Sequence, residues 1–156
     1  MSDAILDQIR QLLKQAGAEF REVQHEPTFT SEQAAEARGE ELRIGGKALL
    51  LKTGDSFRLF VLSAERKVQS SAIRRHLKLK KTRFATAEEL HELTGLVPGA
   101  VPPFGSPILP FELYVDSSIL ANPRIAFNAG SLTDSIVVSV EDYLRVAKPM
   151  VFEFTR

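Results

Sequence analysis

Apolar residues open the chain at helical spacing. Ile5, Leu6, Ile9, Leu12 and Leu13 fall on one stripe, and Gly17 follows as a stop. The pattern predicts an amphipathic helix over 1–17. The period then changes. Phe20 to Gln24 reads as a short strand, broken by His25-Glu26-Pro27. Thr30 or Ser31 caps a short helix that runs to Arg38 and ends at Gly39. Lys47 to Lys52 and Phe57 to Ser63 are apolar strands joined by Thr53-Gly54-Asp55-Ser56, a hairpin signal. Ser70 or Ser71 opens a helix to Leu77, and Thr82 to Ala85 is a candidate strand. Thr86-Ala87-Glu88-Glu89 is a capping box whose helix runs to Thr94 and stops at Gly95.

Gly95 to Gly105 holds three prolines and three glycines in 11 residues, so it is neither helix nor central strand. Beyond it, strands are expected at Glu112 to Asp116, Arg124 to Asn128 and Ile136 to Val140, with a helical turn at Ser117 to Ala121. A helix capped by Ser139 covers Glu141 to Ala147, and Val151 to Phe154 is a last short strand. Hairpins and helices are interspersed rather than strictly alternating. The expected fold class is α/β in the α+β sense, a mixed, mainly antiparallel sheet with helices around it. No internal repeat, low-complexity tract or linker divides the 156 residues, a length that suits one domain with a real core.

Composition narrows the chemistry. The chain has no cysteine, which removes disulfides, a thiol nucleophile and cysteine metal sites. No run approaches the roughly 18 apolar residues of a membrane span, and the N-terminus lacks an apolar signal region, so a cytoplasmic protein with no membrane partner is expected. Twenty basic residues balance twenty acidic ones, against a general nucleic-acid coat. The distribution is uneven, however. Arg66, Lys67, Arg74, Arg75, Lys78, Lys80, Lys81 and Arg83 share an 18-residue stretch without an acid, whereas Glu32, Glu36, Glu40 and Glu41 dominate an earlier one. The basic stretch suits a phosphate backbone. A solvated helix surface accounts for it equally well.

The most distinctive single residue is Lys47, between Gly45-Gly46 and the apolar run Ala48 to Leu51. An unpaired charge at the mouth of a buried strand is costly. It either holds an anionic or carbonyl-bearing ligand in a cleft or snorkels to solvent at a strand end. A phosphate loop fails, because it needs Gly at position 41 and Ser or Thr at 48, where the chain has Glu41 and Ala48. His25, His76 and His91 lack metal-ligand spacing. There is no Gly-x-Ser-x-Gly elbow and no dinucleotide fingerprint. Ser131 beside Gly130 is a conceivable nucleophile only if the fold brings His25 to it.

Four features in order carry a resemblance. They are Thr30-Ser31-Glu32-Gln33-Ala34-Ala35, Lys47 at the head of its strand, the loop Gly99-Ala100-Val101-Pro102-Pro103-Phe104-Gly105, and Ile125-Ala126-Phe127-Asn128-Ala129-Gly130. Together, over about Phe20 to Ala147, they resemble the YbaK/prolyl-tRNA-synthetase-associated editing domain family. The resemblance implies one editing domain over 1–156, with the 1–17 helix packed on it, and a barrel-like mixed sheet. It implies a free-standing hydrolase that clears mischarged aminoacyl-tRNA in trans. The cargo would be alanine or serine, with threonine as a further candidate, and no cofactor or metal would be needed. The partners would be the acceptor end of tRNA and an aminoacyl-tRNA synthetase.

The resemblance assigns Lys47, Gly99 and Gly130 to catalysis. It assigns Phe29, Thr30, Ala100, Pro103, Phe104, Asn128 and Ser131 to substrate binding. Arg66, Lys67, Arg74, Arg75, Lys78, Lys80 and Lys81 would be the tRNA surface. Fixed N–H groups of Gly99, Ala100 and Gly130 would stabilise the oxyanion of ester hydrolysis, while Pro102 and Pro103 would stiffen the loop. Pocket size would select the amino acid. Leu49 and Phe127 fit a pocket wall or plain core packing. Pro102 and Ser131 depart from residues common in relatives, and both bear on specificity. Two rivals stand beside the deacylase: a catalytically silent relative that binds tRNA or a synthetase, and a hydrolase of another small ester or amide.

Overall fold

The computed structural model describes residues 2–156. In chain order the elements are α1 (Ser2–Gln15), β1 (Phe20–Gln24), α2 (Ser31–Arg38), β2 (Gly46–Thr53), β3 (Ser56–Ser63), α3 (Ser70–Leu77), β4 (Thr82–Phe84) and α4 (Ala87–Thr94). Then follow β5 (Leu113–Asp116), α5 (Ser117–Leu120), β6 (Arg124–Asn128), β7 (Asp134–Ser139), α6 (Val140–Ala147) and β8 (Met150–Phe152). A 3-10 turn at Leu42–Ile44, which the pattern did not signal, leads into β2.

The local signals act as their chemistry dictates. Thr30 accepts from the Gln33 N–H, and Gly39 ends α2 in the left-handed region. Thr86 and Glu89 form both halves of the capping box on α4. Ser139 accepts from the Asp142 N–H at the head of α6.

The strands form two sheets, β4-β2-β3-β5-β8 and β1-β7-β6. All pairs are antiparallel except β3 with β5 and β5 with β8. The mixed, mainly antiparallel sheet surrounded by helices is therefore present, but the barrel-like form is not. Among the described residues no sheet closes on itself, and an isolated parallel bridge between Gly45 and Ala126 joins the two. The physical reason lies at the start of β2. A β-carbon on Gly46 would stand 2.4 Å from Ile125 Cδ1, so only glycine lets β2 come this close to β6. The contact is local: β2 next pairs with β4, and only at Leu51 to Thr53.

Period-2 alternation along β3 feeds two cores. Leu59 and Val61 face the larger one, with Ile9 and Leu13 of α1, Ile125 and Phe127 of β6, Ile136 and Val138 of β7, and Tyr143 of α6. Phe60 and Leu62 face the smaller one, beneath Ile73 of α3, with Leu51, Tyr114 and Phe154. Each fully buried side chain of this kind contributes about 1.5–3 kcal/mol, more than a typical net hydrogen bond.

The glycine–proline stretch is not a surface loop beyond its first residues. Val101 and Phe104 belong to the larger core, and Phe104 packs edge-on against Phe127 and Tyr143 at centroid distances of 5.5 and 5.6 Å. The Tyr143 hydroxyl, whose ionisation burial pushes up, donates to the Pro103 carbonyl at 2.6 Å. No described helix is long and apolar enough to cross a membrane.

Candidate active-site cleft

A cleft of about 250 Å³ opens where β2 leaves β6. Its walls come from the segment Thr28 to Ser31, from Ala34 and Arg38 of α2, from Gly45 to Leu49, from Ala64, from Pro98, Gly99 and Val101, and from Asn128. Among the described residues no acidic side chain lines it. An apolar hollow of about 200 Å³ continues past Leu49 and Gly99 toward Phe84 and Leu90.

β2 presents an open edge to this space. The Ala64 N–H donates to the Gly45 carbonyl at 2.8 Å on one side, and the Ala85 N–H to the Leu50 carbonyl at 2.9 Å on the other. Backbone groups of an antiparallel strand alternate sides. Ala48 therefore points its N–H and C=O away from β3, toward the β4 side, where no strand pairs with it. Lys47, half-buried, sits one residue earlier and pairs with Leu62 across β3.

The opposite wall is a turn. The Ala100 N–H donates to the Val97 carbonyl at 3.1 Å, with Pro98 and Gly99 between them and Gly99 at φ +90°. Proline followed by a positive-φ glycine is the signature of a type II turn. Asn128 Nδ2 donates to the Gly99 carbonyl at 2.8 Å, and the Gly130 N–H donates to the Ala100 carbonyl at 3.0 Å. The two motifs that stood apart in sequence are thus stapled together. The staple uses up the N–H groups of Ala100 and Gly130, so these two are not free to meet an oxyanion. The Gly99 N–H has no protein acceptor among the described residues.

Lys47, Gly99, Phe29, Thr30 and Asn128 share the cleft. Phe29 stands at its rim, 77% exposed. Ala100, Pro103, Phe104 and Gly130 are buried behind it and position the turn from below. Ser131 lies in the β6–β7 connection, where its hydroxyl donates to Asp134 Oδ2 at 2.8 Å. The serine that meets His25 is Ser135, at 2.8 Å from Nε2, not Ser131. Ser135 is buried and also accepts from Arg38 Nε at 2.9 Å, so it is a structural hydroxyl.

Of the basic stretch, Arg74, Lys80 and Lys81 line a separate hollow of about 410 Å³ with Lys52, Gly54, Thr82 and Arg83. Arg75 and Lys78 are exposed on and just beyond α3, and Arg66 and Lys67 lie past the end of β3, close in sequence to Ala64 of the cleft. Lys52 stands directly opposite Arg83 across β2 and β4. Like charges so placed are destabilising.

Two cleft residues were missed by sequence reasoning. Arg38 is 8% exposed, and burial pulls its guanidinium down to about 10, with the Glu40 charge offsetting part of that. It remains a cation at neutral pH. Its Nη2 donates to Asn128 Oδ1 at 3.0 Å, and Nη1 lies 3.6 Å from where a β-carbon on Gly45 would be. The other is Thr28, 7% exposed. A signal for Arg38 existed: it stands four residues after Ala34, on the buried face of α2. Thr28 gave none.

The chain belongs to the aminoacyl-tRNA editing domain family, whose model matches residues 25–146. Members of this class hydrolyse the ester bond of mischarged tRNA. Among curated proteins it is 38% identical to the multifunctional Ser/Thr-tRNA deacylase ProXp-y of Escherichia coli K12, over 93% of this chain and 89% of that one. Among solved structures it superposes with TM-score 0.83 and 25% identity on a candidate trans-editing enzyme for prolyl-tRNA synthetase, covering 97% of this chain and 96% of the other. A scaffold protein used for epitope grafting shares the fold, at TM-score 0.83 and 22% identity over 97% of each chain.

Proposed function

We propose that the cleft between β2 and the Pro98-Gly99 turn hydrolyses the ester that joins a small amino acid to the terminal ribose of tRNA. Serine and threonine come first as cargo, supported by the named activity of the 38% identical relative, and alanine next. The observation that carries the reading is a cleft with no acidic side chain among the described residues, lined by Lys47, by Ala48 on an unpaired strand edge and by Gly99, whose N–H has no protein acceptor. Such a site attracts an electron-rich group and stabilises negative charge as it forms.

In this reading water attacks the ester carbonyl carbon. The carbonyl oxygen becomes an oxyanion and takes hydrogen bonds from the N–H groups of Ala48 and Gly99, held in place before reaction. The carbon–oxygen bond to ribose then breaks. The ribose oxygen keeps the electron pair and gains a proton, leaving a free amino acid and uncharged tRNA. Among the described residues neither a carboxylate nor a histidine lines the cleft to act as base. The vicinal ribose hydroxyl orients the water instead. Lys47 holds the terminal phosphate or the ribose and adds positive charge near the carbonyl.

Phe29 at the rim gives the terminal base an aromatic face on which to stack. Arg66, Lys67, Arg74, Arg75, Lys78, Lys80 and Lys81 attract the acceptor stem, with Lys52 beside them in the second hollow. Such a protein works in the cytoplasm beside the synthetase whose errors it clears.

The test is deacylation of tRNAs charged with serine, threonine, alanine, cysteine and proline, with wild type and Lys47→Ala side by side. Rapid loss of one or two species, reduced about 100-fold or more by the substitution, is expected, since single electrostatic contacts in such sites contribute about 10²–10³ in rate. Binding of tRNA with no loss of any species would leave the silent relative. Equal hydrolysis of amino-acid esters that carry no tRNA would leave the general esterase.

A further inference from the structure

We propose that the floor of this cleft recognises the side-chain hydroxyl of the amino acid through Arg38 and Thr28, so that selection rests on hydrogen bonding and not on size alone. The inference rests on the deacylase reading and names the two residues that set its substrate class, β-hydroxy amino acids.

The first observation is an incomplete hydrogen-bond set on a buried cation. A guanidinium carries five N–H donors. Arg38 uses Nε on Ser135 and one Nη2 hydrogen on Asn128. The rest have no acceptor among the described protein atoms, and no carboxylate pairs with Arg38, although the residue is only 8% exposed. The Nη1 donors are not fully enclosed, so they stay open to an acceptor that enters the cleft. Nη1 is beside Gly45, itself a wall of the cleft.

The second observation is independent. Thr28 also lines the cleft, and its Oγ1 is buried with no hydrogen-bond partner. The residue is held from behind, because its own N–H donates to the Leu132 carbonyl at 3.2 Å. A valine of the same shape would fill the place without an orphaned hydroxyl.

The two groups complement each other. Arg38 can only donate, whereas Thr28 can donate or accept. A substrate hydroxyl meets both requirements at once: its oxygen accepts from the guanidinium, and its hydrogen goes to Thr28 Oγ1. A methyl group in the same place satisfies neither. A phosphodiester oxygen would also satisfy Arg38, but in this reading the terminal phosphate belongs near the half-buried Lys47, where water still reaches. A site built to bind a hydroxyl rejects the analogue that lacks it far more strongly than an apolar pocket rejects a missing methylene.

The experiment compares tRNA charged with serine and with 2-aminobutyrate, which replaces the hydroxyl by a methyl of similar size. Wild type, Thr28→Val and Thr28→Ser are assayed for kcat/KM on both. Wild type is expected to prefer serine by about 100-fold or more, within the range such sites reach. Thr28→Val should cut that preference about tenfold, the effect of one lost hydrogen bond to an uncharged group, while raising or preserving the thermal midpoint. Thr28→Ser, which keeps the hydroxyl, should restore the preference. Equal handling of the two esters by wild type, or an unchanged ratio in Thr28→Val, overturns the inference and leaves the deacylase reading intact. If Thr28→Val does not fold, the wild-type ratio decides alone. No hydrolysis of any aminoacyl-tRNA by wild type overturns both.

Discussion

The floor of the cleft and the ridge formed by α3 and β4 both carry surplus positive charge, and they use it differently. On the ridge, Arg75, Lys78, Lys80 and Lys81 are exposed. Each is hydrated, screened by salt over a Debye length of about 8–10 Å, and individually weak. Arg38 on the floor is one cation largely shielded from water and held by Ser135 and Asn128. Charge in the open extends attraction along a polyanion. Charge under a cleft acts at hydrogen-bond range on one small group.

The sharpest way to break this contrast is Arg38→Met. Catalytic efficiency on seryl-tRNA should fall about 100-fold or more, since the lost contacts lie within the reacting site. Stability in urea should move by less than about 2 kcal/mol, because the cost of burying the cation is relieved while Asn128 Oδ1 keeps its bond from the Ser135 hydroxyl. A large loss of stability with activity retained would make Arg38 a structural residue and erase the difference between floor and ridge. Arg74→Ala with Lys81→Ala should have a smaller effect of another kind. KM should rise at physiological salt with kcat unchanged, and the slope of log binding against log salt should shrink by about 1.4–1.8 for two lost phosphate contacts. An unchanged slope would take the ridge out of the tRNA surface.

The smallest effect concerns the ridge's own paired charge. Arg83 binds Glu89 in a two-pronged contact at 2.7 and 2.9 Å, and with the Thr86 N–H it holds the Glu89 carboxyl at about 2, below its ordinary 4.5. A carboxyl lowered by folding stabilises the fold fully above its unfolded value and loses that contribution as pH falls toward the folded one. The difference in thermal midpoint between wild type and Glu89→Gln should therefore be largest near pH 6 and shrink as the pH drops from about 4.5 to 2. A constant difference over that range would show that the ionised pair adds nothing.

Legibility in the sequence followed the range of the interaction. The β2–β3 hairpin, the Thr86–Glu89 box and the Gly39 stop are set by residues within a few positions of each other, and they were readable. The point where the two sheets meet was not, because it turns on Gly46 meeting Ile125, 79 positions later. Lys47 and the stretch around Gly99 stood out because a charge and a cluster of glycine and proline each broke a pattern, whereas Asn128 was reached only through the family resemblance. Phe104 misled for the same reason that Arg38 was missed. A proline-rich loop is expected at the surface, and a charged residue near a helix end is expected in water. Tertiary packing reversed both, placing Phe104 against Phe127 and Arg38 under the cleft.

The unpaired edge of β2 has one more consequence. Exposed strand edges invite pairing with other chains, and proteins limit them by keeping them short or covered. Here the edge is confined between the Gly45–Ala126 bridge and Leu50, and it is recessed behind α2 and the Pro98-Gly99 turn. Enlarging the cleft to admit a bulkier acyl group would uncover more of that edge. With the cleft as the proposed acyl site, substrate range and resistance to aggregation are coupled in this fold.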